Sequence, residues 1–174
     1  MSTETYDGEL SLGSTSSSKS RTSETFWCSC DRCVCLPTES ECICCHEVPQ
    51  AHHIVDKFSP VPDNNDCDYQ QKCVTFHQDF DAHLNAGVLD TYFRSHSNNW
   101  RRFPKPKGPG GTLINAQYRL VAYRFILDWL LQGEMLGRKK RIPLPACIVN
   151  VIRTKYPADD GEYVGFKYAD LPTV

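Results

Sequence analysis

Seven of the ten cysteines in this chain of 174 residues lie between residues 28 and 45. The stretch from Trp27 to His46 reads WCSCDRCVCLPTESECICCH and has too few aliphatic side chains to form a core of its own. Something other than side-chain burial must therefore order this segment. Clustered cysteines offer two means, disulfide bridges or bound metal.

The amino terminus favours metal. Residues 1–20 carry acids and serines, and they have neither the basic region nor the apolar region of a secretory signal. No apolar run approaches the ~18 residues of a membrane span. We therefore expect a cytoplasmic chain, with the nucleus as the alternative. In these reducing compartments clustered cysteines more often bind metal than form bridges.

The cysteine spacing suits zinc, which thiolates hold in a tetrahedron. Cys30 and Cys33 are separated by two residues, so one tight turn can present both sulfurs to one ion. Cys44 and Cys45 are adjacent, and neighbouring side chains on extended backbone point to opposite sides. This pair suits two ions or a bridging position, although a single four-cysteine site with spare thiols would show much the same spacing. His46 follows directly and is a second-choice ligand.

Composition bounds the rest of the molecule. Nineteen basic and 21 acidic residues give a formal charge of −2, which is not the signature of a strongly basic nucleic-acid-binding domain. Residues 1–25 are rich in Ser and Thr, which predicts a disordered tail, and residues 26–174 form the predicted domain. Residues 46–66 contain three prolines and indicate a loop.

Three later segments show helical spacing of apolar residues. Between residues 76 and 93 the pattern predicts two short helices with a bend at Gly87, and Cys73 stands just before them. Residues 112–136 form the strongest helical pattern, with Thr112 or Asn115 as its cap. Residues 147–156 predict a third helix, which Cys147 opens, followed by an extended tail.

Four stretches of the chain resemble a known intracellular domain. They read WCSCDRCVCLP, FHQDFDAHLN with the LDTYF that follows, YRLVAYRFILDWLL and, most specifically, LPACIVNVIRTKYPADDGEYVGFKY. Over about residues 26–170 the chain resembles the cytoplasmic C-terminal domain, or ballast, of the P2X-type purinoceptor of subtype seven. That module also occurs in proteins without a channel, and we expect this chain to be one of them.

The resemblance implies two zinc ions held by cysteines. The matching positions in this chain are Cys30, Cys33, Cys44, Cys45, Cys73 and Cys147. Six thiolates fill the eight positions of two tetrahedra if two of them bridge. Cys28 also matches a family cysteine and is a second-choice ligand. Cys35, Cys42 and Cys67 match no family role.

The resemblance also implies a guanine nucleotide such as GDP on an adjacent basic surface. Arg119, Tyr123 and Leu144 match the contact positions of the family. Leu120, Val149 and Ala158 replace a histidine, an arginine and a lysine. The loss of two cations removes charge-assisted phosphate bonds worth roughly 1.5–3 kcal/mol each. Arg141, together with the basic residues 138–140, can supply charge from the other side.

These observations predict a binding module and not an enzyme, because all-thiolate zinc sites are closed and the chain has no phosphate-binding loop. The expected fold is mainly α, a small zinc-stapled helical domain with an irregular cysteine-rich loop and an extended C-terminal tail. The expected function is that of an interaction or regulatory module whose protein partner the sequence does not identify.

Three alternatives accompany this prediction. The first is a guanine-nucleotide sensor. The second is a nucleic-acid-binding module, whose contact residues would be Trp100, Arg101, Arg102, Lys105, Lys107 and Arg138 to Arg141. The third is a thiol-redox enzyme using Cys30 and Cys33, although these residues lack the strand–helix context of such motifs.

Overall fold

A computed structural model of the chain describes residues 19–58, 73–96, 105–134, 141–163 and 165–166. The α-helices in these ranges are α1 (Pro49–Phe58), α2 (Phe80–His83), α3 (Ala86–Ser95), α4 (Asn115–Leu131) and α5 (Ala146–Lys155). Short 3-10 turns lie at Glu39–Glu41, Val74–Phe76 and Pro109–Gly111. These residues contain no β-strand, which confirms the prediction of a mainly α fold.

Helix α1 corrects the loop predicted for residues 46–66. Pro49 occupies the first helical position, where its missing amide hydrogen has no helical partner to lose. Ala51, Ile54 and Val55 are buried at helical spacing. These three residues are too few to show as a helical pattern among the prolines and histidines of this stretch.

The bend predicted near Gly87 lies two residues earlier, between α2 and α3. Asn85 caps α3, because its side-chain oxygen accepts hydrogen bonds from the backbone amides of Gly87 at 2.9 Å and Val88 at 3.3 Å. Leu84 is completely buried just before this cap. Phe76, the first residue of the predicted helical pattern, is 59% exposed and lies in the 3-10 turn before α2.

Helix α4 is shorter than predicted and begins after a different cap. Neither Thr112 nor Asn115 caps it. Instead, the side-chain oxygen of the fully buried Gln117 accepts hydrogen bonds from the amides of Lys107 and Ile114, and its side-chain amide donates to the Lys105 carbonyl at 2.7 Å. The helix ends at Leu131 because Gln132 adopts a left-handed conformation.

The core lies around α4, which contacts α1, α2, α3 and α5. Helix α5 has the bounds that the sequence predicted to within a residue or two, and it also packs against the Val74–Phe76 turn. Aliphatic side chains and cysteines bury together in one cluster. Its fully buried members include Ile54, Leu84, Leu89, Ile126, Ile148, Ile152, Cys44, Cys45 and Cys147.

The C-terminal segment lies against this core. The Phe166 amide donates to Oε1 of the buried Glu41 at 2.8 Å, and the Tyr163 ring lies 4.5 Å from the Arg153 guanidinium. Close to this contact, Arg21 donates to the carbonyl of Cys42, the neighbour of Glu41, at 3.0 Å and pairs with Glu47.

Several sequence-based predictions concern residues outside the described ranges. They involve residues 1–18 of the predicted tail, Cys67, Trp100, Arg101, Arg102 and residues 138–140.

None of the helices in the described part of the chain combines the length and apolar character needed to cross a membrane.

Candidate metal centre

Seven cysteine sulfurs converge in two groups of four. The outer group consists of Cys28, Cys30, Cys33 and Cys44, and the inner group consists of Cys30, Cys45, Cys73 and Cys147. Within each group the sulfurs all lie within 4.8 Å of one another. Cys30 belongs to both groups, so seven sulfurs provide eight ligand positions.

The spacing of the sulfurs matches a tetrahedron around a metal ion. Four sulfurs placed ~2.3 Å from a central ion would be about 3.8 Å apart along each edge. The Cys28–Cys30 and Cys30–Cys33 sulfur pairs are each separated by 3.8 Å. This separation is far longer than the ~2.05 Å of a disulfide bond, and all described cysteines are free thiols.

A tight turn brings the outer ligands Cys30 and Cys33 together. Asp31, the first residue between them, adopts a left-handed conformation with φ of 56°. Asp tolerates this region better than most residues with side chains. The turn lets two sulfurs three residues apart face one point.

The adjacent pair Cys44 and Cys45 divides between the two groups. Its position is fixed on both sides, because the Ile43 carbonyl accepts the Ala146 amide at 2.9 Å and the Glu47 carboxylate accepts the Cys44 amide at 2.8 Å. The first of these bonds joins the cysteine-rich loop to the start of α5. It places Cys147, in the first turn of that helix, beside the loop.

The inner group collects ligands from three distant parts of the chain. Cys73 immediately precedes the Val74–Phe76 turn, and Cys147 lies in α5. Cys45, Cys73 and Cys147 are at most 2% exposed. Four thiolates at one buried point would be costly to assemble unless a cation compensated their negative charge.

Hydrogen bonds to the sulfurs support thiolate character. The Thr75 hydroxyl donates to Cys73 Sγ at 3.1 Å, and the Ser29 hydroxyl lies 3.7 Å from Cys44 Sγ. Hydroxyl groups that form hydrogen bonds to metal-binding sulfurs orient these ligands and stabilise their charge. The Thr75 contact is local, two residues from Cys73, whereas Ser29 reaches a sulfur 15 residues away along the chain.

The pKa values of the converging thiols are shifted in opposite directions by their mutual hydrogen bonds. Hydrogen bonds from neighbouring sulfurs, that of Cys30 being the strongest influence, lower the pKa of Cys44. A hydrogen bond from Cys147 does the same for the pKa of Cys73, whereas donation to Cys30 and other sulfurs raises the pKa of Cys147. Binding of a divalent cation by these sulfurs would require deprotonated thiols and would therefore release protons.

The structure therefore brings together all six cysteines named from the sequence and adds Cys28 as a full member. With Cys28 included, the eight positions need one shared sulfur and not two. The signal for Cys28 was present in the sequence, since it lies two residues before Cys30. On extended backbone that spacing returns a side chain to the same face.

The other candidate ligands lie elsewhere. The His46 ring packs edge-on against His52, with 5.4 Å between ring centroids, and is in neither group. Cys42 is buried, and its sulfur forms hydrogen bonds with the Leu36 backbone, while burial raises its pKa. Cys35 is half-buried and also outside both groups.

The structure does not bring all the residues matched to guanine-nucleotide contacts to one surface. Arg119 donates to the Tyr156 carbonyl at 2.8 Å and lies 5.3 Å from the Tyr163 ring. The Tyr123 hydroxyl accepts a 3.4 Å hydrogen bond from Arg153. Leu144 is buried in the core, and Arg141 is exposed. Arg153, Tyr163 and Glu41 were not among the residues predicted from the sequence. Their contacts join distant segments and leave no local pattern.

Comparison with known proteins identifies the C-terminal part of this structure. Residues 107–167 match the family model of the P2X purinoreceptor 7 intracellular domain. No curated protein and no solved structure gives a significant match. The matched span contains α4, α5 and one of the seven converging cysteines, Cys147. Over residues 107–167, about a third of the chain, this protein is therefore similar to the P2X purinoreceptor 7 intracellular domain.

Proposed function

We propose that this domain is a cytoplasmic zinc-binding interaction module in which the metal is structural and not catalytic. The observation that carries the proposal is the convergence of seven sulfurs from separate segments on two points, with Cys30 shared. Cys28, Cys30, Cys33 and Cys44 would hold one ion, and Cys30, Cys45, Cys73 and Cys147 the other.

The donor set favours zinc over other metals. Tetrahedral sites of four thiolates suit zinc or iron–sulfur centres, whereas hard cations prefer oxygen ligands. An iron–sulfur cluster also contains inorganic sulfide, which needs room between the cysteine sulfurs. Sulfurs 3.8 Å apart in the outer group, and within 4.8 Å of one another in both groups, suit a single ion at each position. When bound, zinc would supply a closed tetrahedral crosslink.

A structural role follows from the saturation of both groups. A catalytic zinc keeps one position open for water or substrate, and each group here supplies four sulfurs. The inner ion would tie the cysteine-rich loop to α5 and to the segment before α2. Its binding free energy would then be part of the folding free energy.

An interaction role is supported by the surface near the outer group. Phe26 and Phe76 are 53% and 59% exposed, and the Arg32 guanidinium lies 4.5 Å from the Phe76 ring. Large exposed aromatic side chains are common in protein contacts. The family is also named for an intracellular domain, in keeping with a protein partner in the cytoplasm.

Nucleotide and nucleic-acid binding remain sequence-based predictions. Arg119 is already bonded to the Tyr156 carbonyl, and Arg101 and Arg102 lie outside the described residues.

Replacing Cys147 with Ser tests the proposal. Because Cys147 is a completely buried inner ligand, the variant should lose bound zinc and its cooperative thermal transition. Zinc content is measured by native mass spectrometry under non-reducing conditions, and unfolding by circular dichroism. The matched control is Cys35→Ser, which removes a half-buried cysteine outside both groups and should change neither quantity. A Cys147→Ser protein that retains its full zinc content and melting temperature would disprove the structural role.

A further inference from the structure

The two cysteine groups differ in their access to solvent. All four inner cysteines are buried, whereas Cys28 and Cys33 of the outer group are only half-buried. A chelator or a competing thiol can therefore approach the outer position directly. To reach the inner position it must first open the core.

The groups also differ in what must move when an ion leaves. All outer ligands come from residues 28–44, so local rearrangement of one loop is enough to separate them. The inner ligands Cys73 and Cys147 are held by the start of the Val74–Phe76 turn and by α5. Local openings of a loop cost far less free energy than separation of packed elements.

Because Cys30 belongs to both groups, the inner position would keep four sulfur ligands when only one ion is bound. If the outer ion leaves, Cys30 becomes an ordinary terminal ligand of the inner ion. The inner ion then still has four sulfur ligands. Loss of the outer ion therefore leaves no vacant coordination position in the core.

We infer that the outer position exchanges its zinc with the surrounding solution while the inner position retains its ion as a permanent crosslink. This inference rests on the proposed zinc binding and adds a zinc-responsive site to it. The domain would take up or release one ion as available zinc changes, and it would remain folded in both states.

The structure also indicates what the exchange would alter. Arg32, within the Cys30–Cys33 turn, packs its guanidinium over the exposed Phe76 ring, and Phe76 follows the inner ligand Cys73. An outer ion fixes this turn against the inner part of the domain. When that ion leaves, the turn is free to move and uncovers the Phe76 ring. Zinc availability would thus control an aromatic surface on a folded protein.

Isotope exchange tests the inference on the unaltered full chain. The protein loaded with natural zinc is mixed with isotopically enriched zinc and sampled over time by native mass spectrometry. We expect one ion to exchange roughly tenfold faster, or more, than the other. Release to the chromogenic chelator 4-(2-pyridylazo)resorcinol should show the same two phases with equal amplitudes.

Two variants assign the phases. Cys28→Ser should remove or further accelerate the fast phase, while the slow phase and the melting temperature persist. Cys35→Ser, the control, should leave both phases unchanged. Arg32 and Phe76 need not be altered, because the exposure of Phe76 can be followed by binding of a hydrophobic dye as the outer ion is removed.

The outcomes separate the two proposals. A full chain that binds no zinc disproves the proposed function itself. Two ions that exchange at one rate, or a Cys28→Ser protein that loses both ions, disprove the inference and leave zinc binding intact. A single bound ion unaffected by Cys28→Ser also overturns it, because the outer position would then hold no metal.

Discussion

Cys30 and its neighbour Asp31 show how much of the centre depends on single side chains. Cys30 is the one described cysteine common to both groups, and it is 5% exposed. Asp31 is exposed, yet its left-handed backbone sets the direction in which the Cys30 and Cys33 sulfurs point. A change of backbone preference at this position should therefore act on the outer group without touching a ligand.

We predict that Asp31→Val destabilises the zinc-loaded protein by about 1–2 kcal/mol, because a β-branched residue pays the full cost of the left-handed conformation. Chemical denaturation in the presence of zinc measures this loss. Asp31→Gly is the matched control and should be neutral or slightly stabilising, since glycine adopts positive φ freely. Equal stability of the Val and Gly variants would show that the turn does not require this conformation.

At the scale of elements, the C-terminal segment is joined to the cysteine-rich loop through Glu41. Its carboxylate accepts hydrogen bonds from the Phe166 amide at 2.8 Å and the Thr38 hydroxyl at 2.7 Å, and Arg153 lies 3.9 Å away. Gly165 passes so close that a Cβ at this position would lie 2.8 Å from Glu41 Oε2. These partners leave the Glu41 carboxylate little room to move away from a side chain at position 165.

Gly165→Ala should therefore lower the stability of the domain by about 1 kcal/mol, as one hydrogen bond to a charged group is strained or lost. Thermal unfolding measures the effect. A double-mutant cycle with Glu41→Gln identifies the cause, because the two changes should be non-additive if the new methyl group acts through this carboxylate. Additive effects would place the origin of the destabilisation elsewhere.

The contact between α3 and α4 contains a second element-scale feature, a tyrosine–carboxylate pair. The Tyr92 hydroxyl donates to Asp128, and the Tyr92 ring lies 4.6 Å from Phe125. Burial, followed by the hydrogen bond and the charge of Asp128, raises the pKa of Tyr92 above its usual value of 10.0. A raised folded-state pKa contributes stability that is fully present below the unfolded-state pKa and is lost as pH rises through the folded-state pKa.

We therefore expect the protein to lose stability as the pH rises above 10, the ordinary pKa of tyrosine, and the Tyr92→Phe variant to lose less over the same range. Thermal melts across this range provide the measurement. Asp128→Asn keeps an acceptor without the charge and should give an intermediate profile. If wild type and Tyr92→Phe decline in parallel, Tyr92 does not contribute to the alkaline loss.

At the scale of the whole molecule, some elements are held together by helix packing and others by their cysteine sulfurs. Helices α3 and α4 pack directly on each other, and neither contains a cysteine. The cysteine-rich loop, the segment before α2 and the start of α5 instead meet at sulfurs. Removal of metal should therefore act unevenly on the fold.

Stripping zinc with a strong chelator should abolish the cooperative thermal transition while part of the helical signal remains, since α3 and α4 keep their own contact. Far-ultraviolet circular dichroism before and after chelation gives both quantities, and added zinc should restore the transition. A stripped protein that melts cooperatively at the original temperature would show that the sulfurs contribute little to folding.

Features that depend on local pattern could be predicted from the sequence. The apolar spacing of α4 and α5 gave both helices, though not the Gln117 cap, because hydrogen bonds to Lys105 and Lys107 arise only when that loop folds back. Helix α1 was not predicted because prolines dominate its flanks and just three of its apolar residues, Ala51, Ile54 and Val55, are buried. Periodicity fails where the stripe is that short.

The sequence by itself predicted that the clustered cysteines are metal ligands, because residue chemistry and an expected reducing compartment favour that inference. Only the tertiary structure decided which sulfur joins which group, that Cys28 completes the outer one, and that Cys30 is shared. The reason is physical. A tetrahedron is closed by segments distant along the chain, and their meeting point depends on how α5 and the Val74–Phe76 turn pack, which spacing in the sequence does not encode.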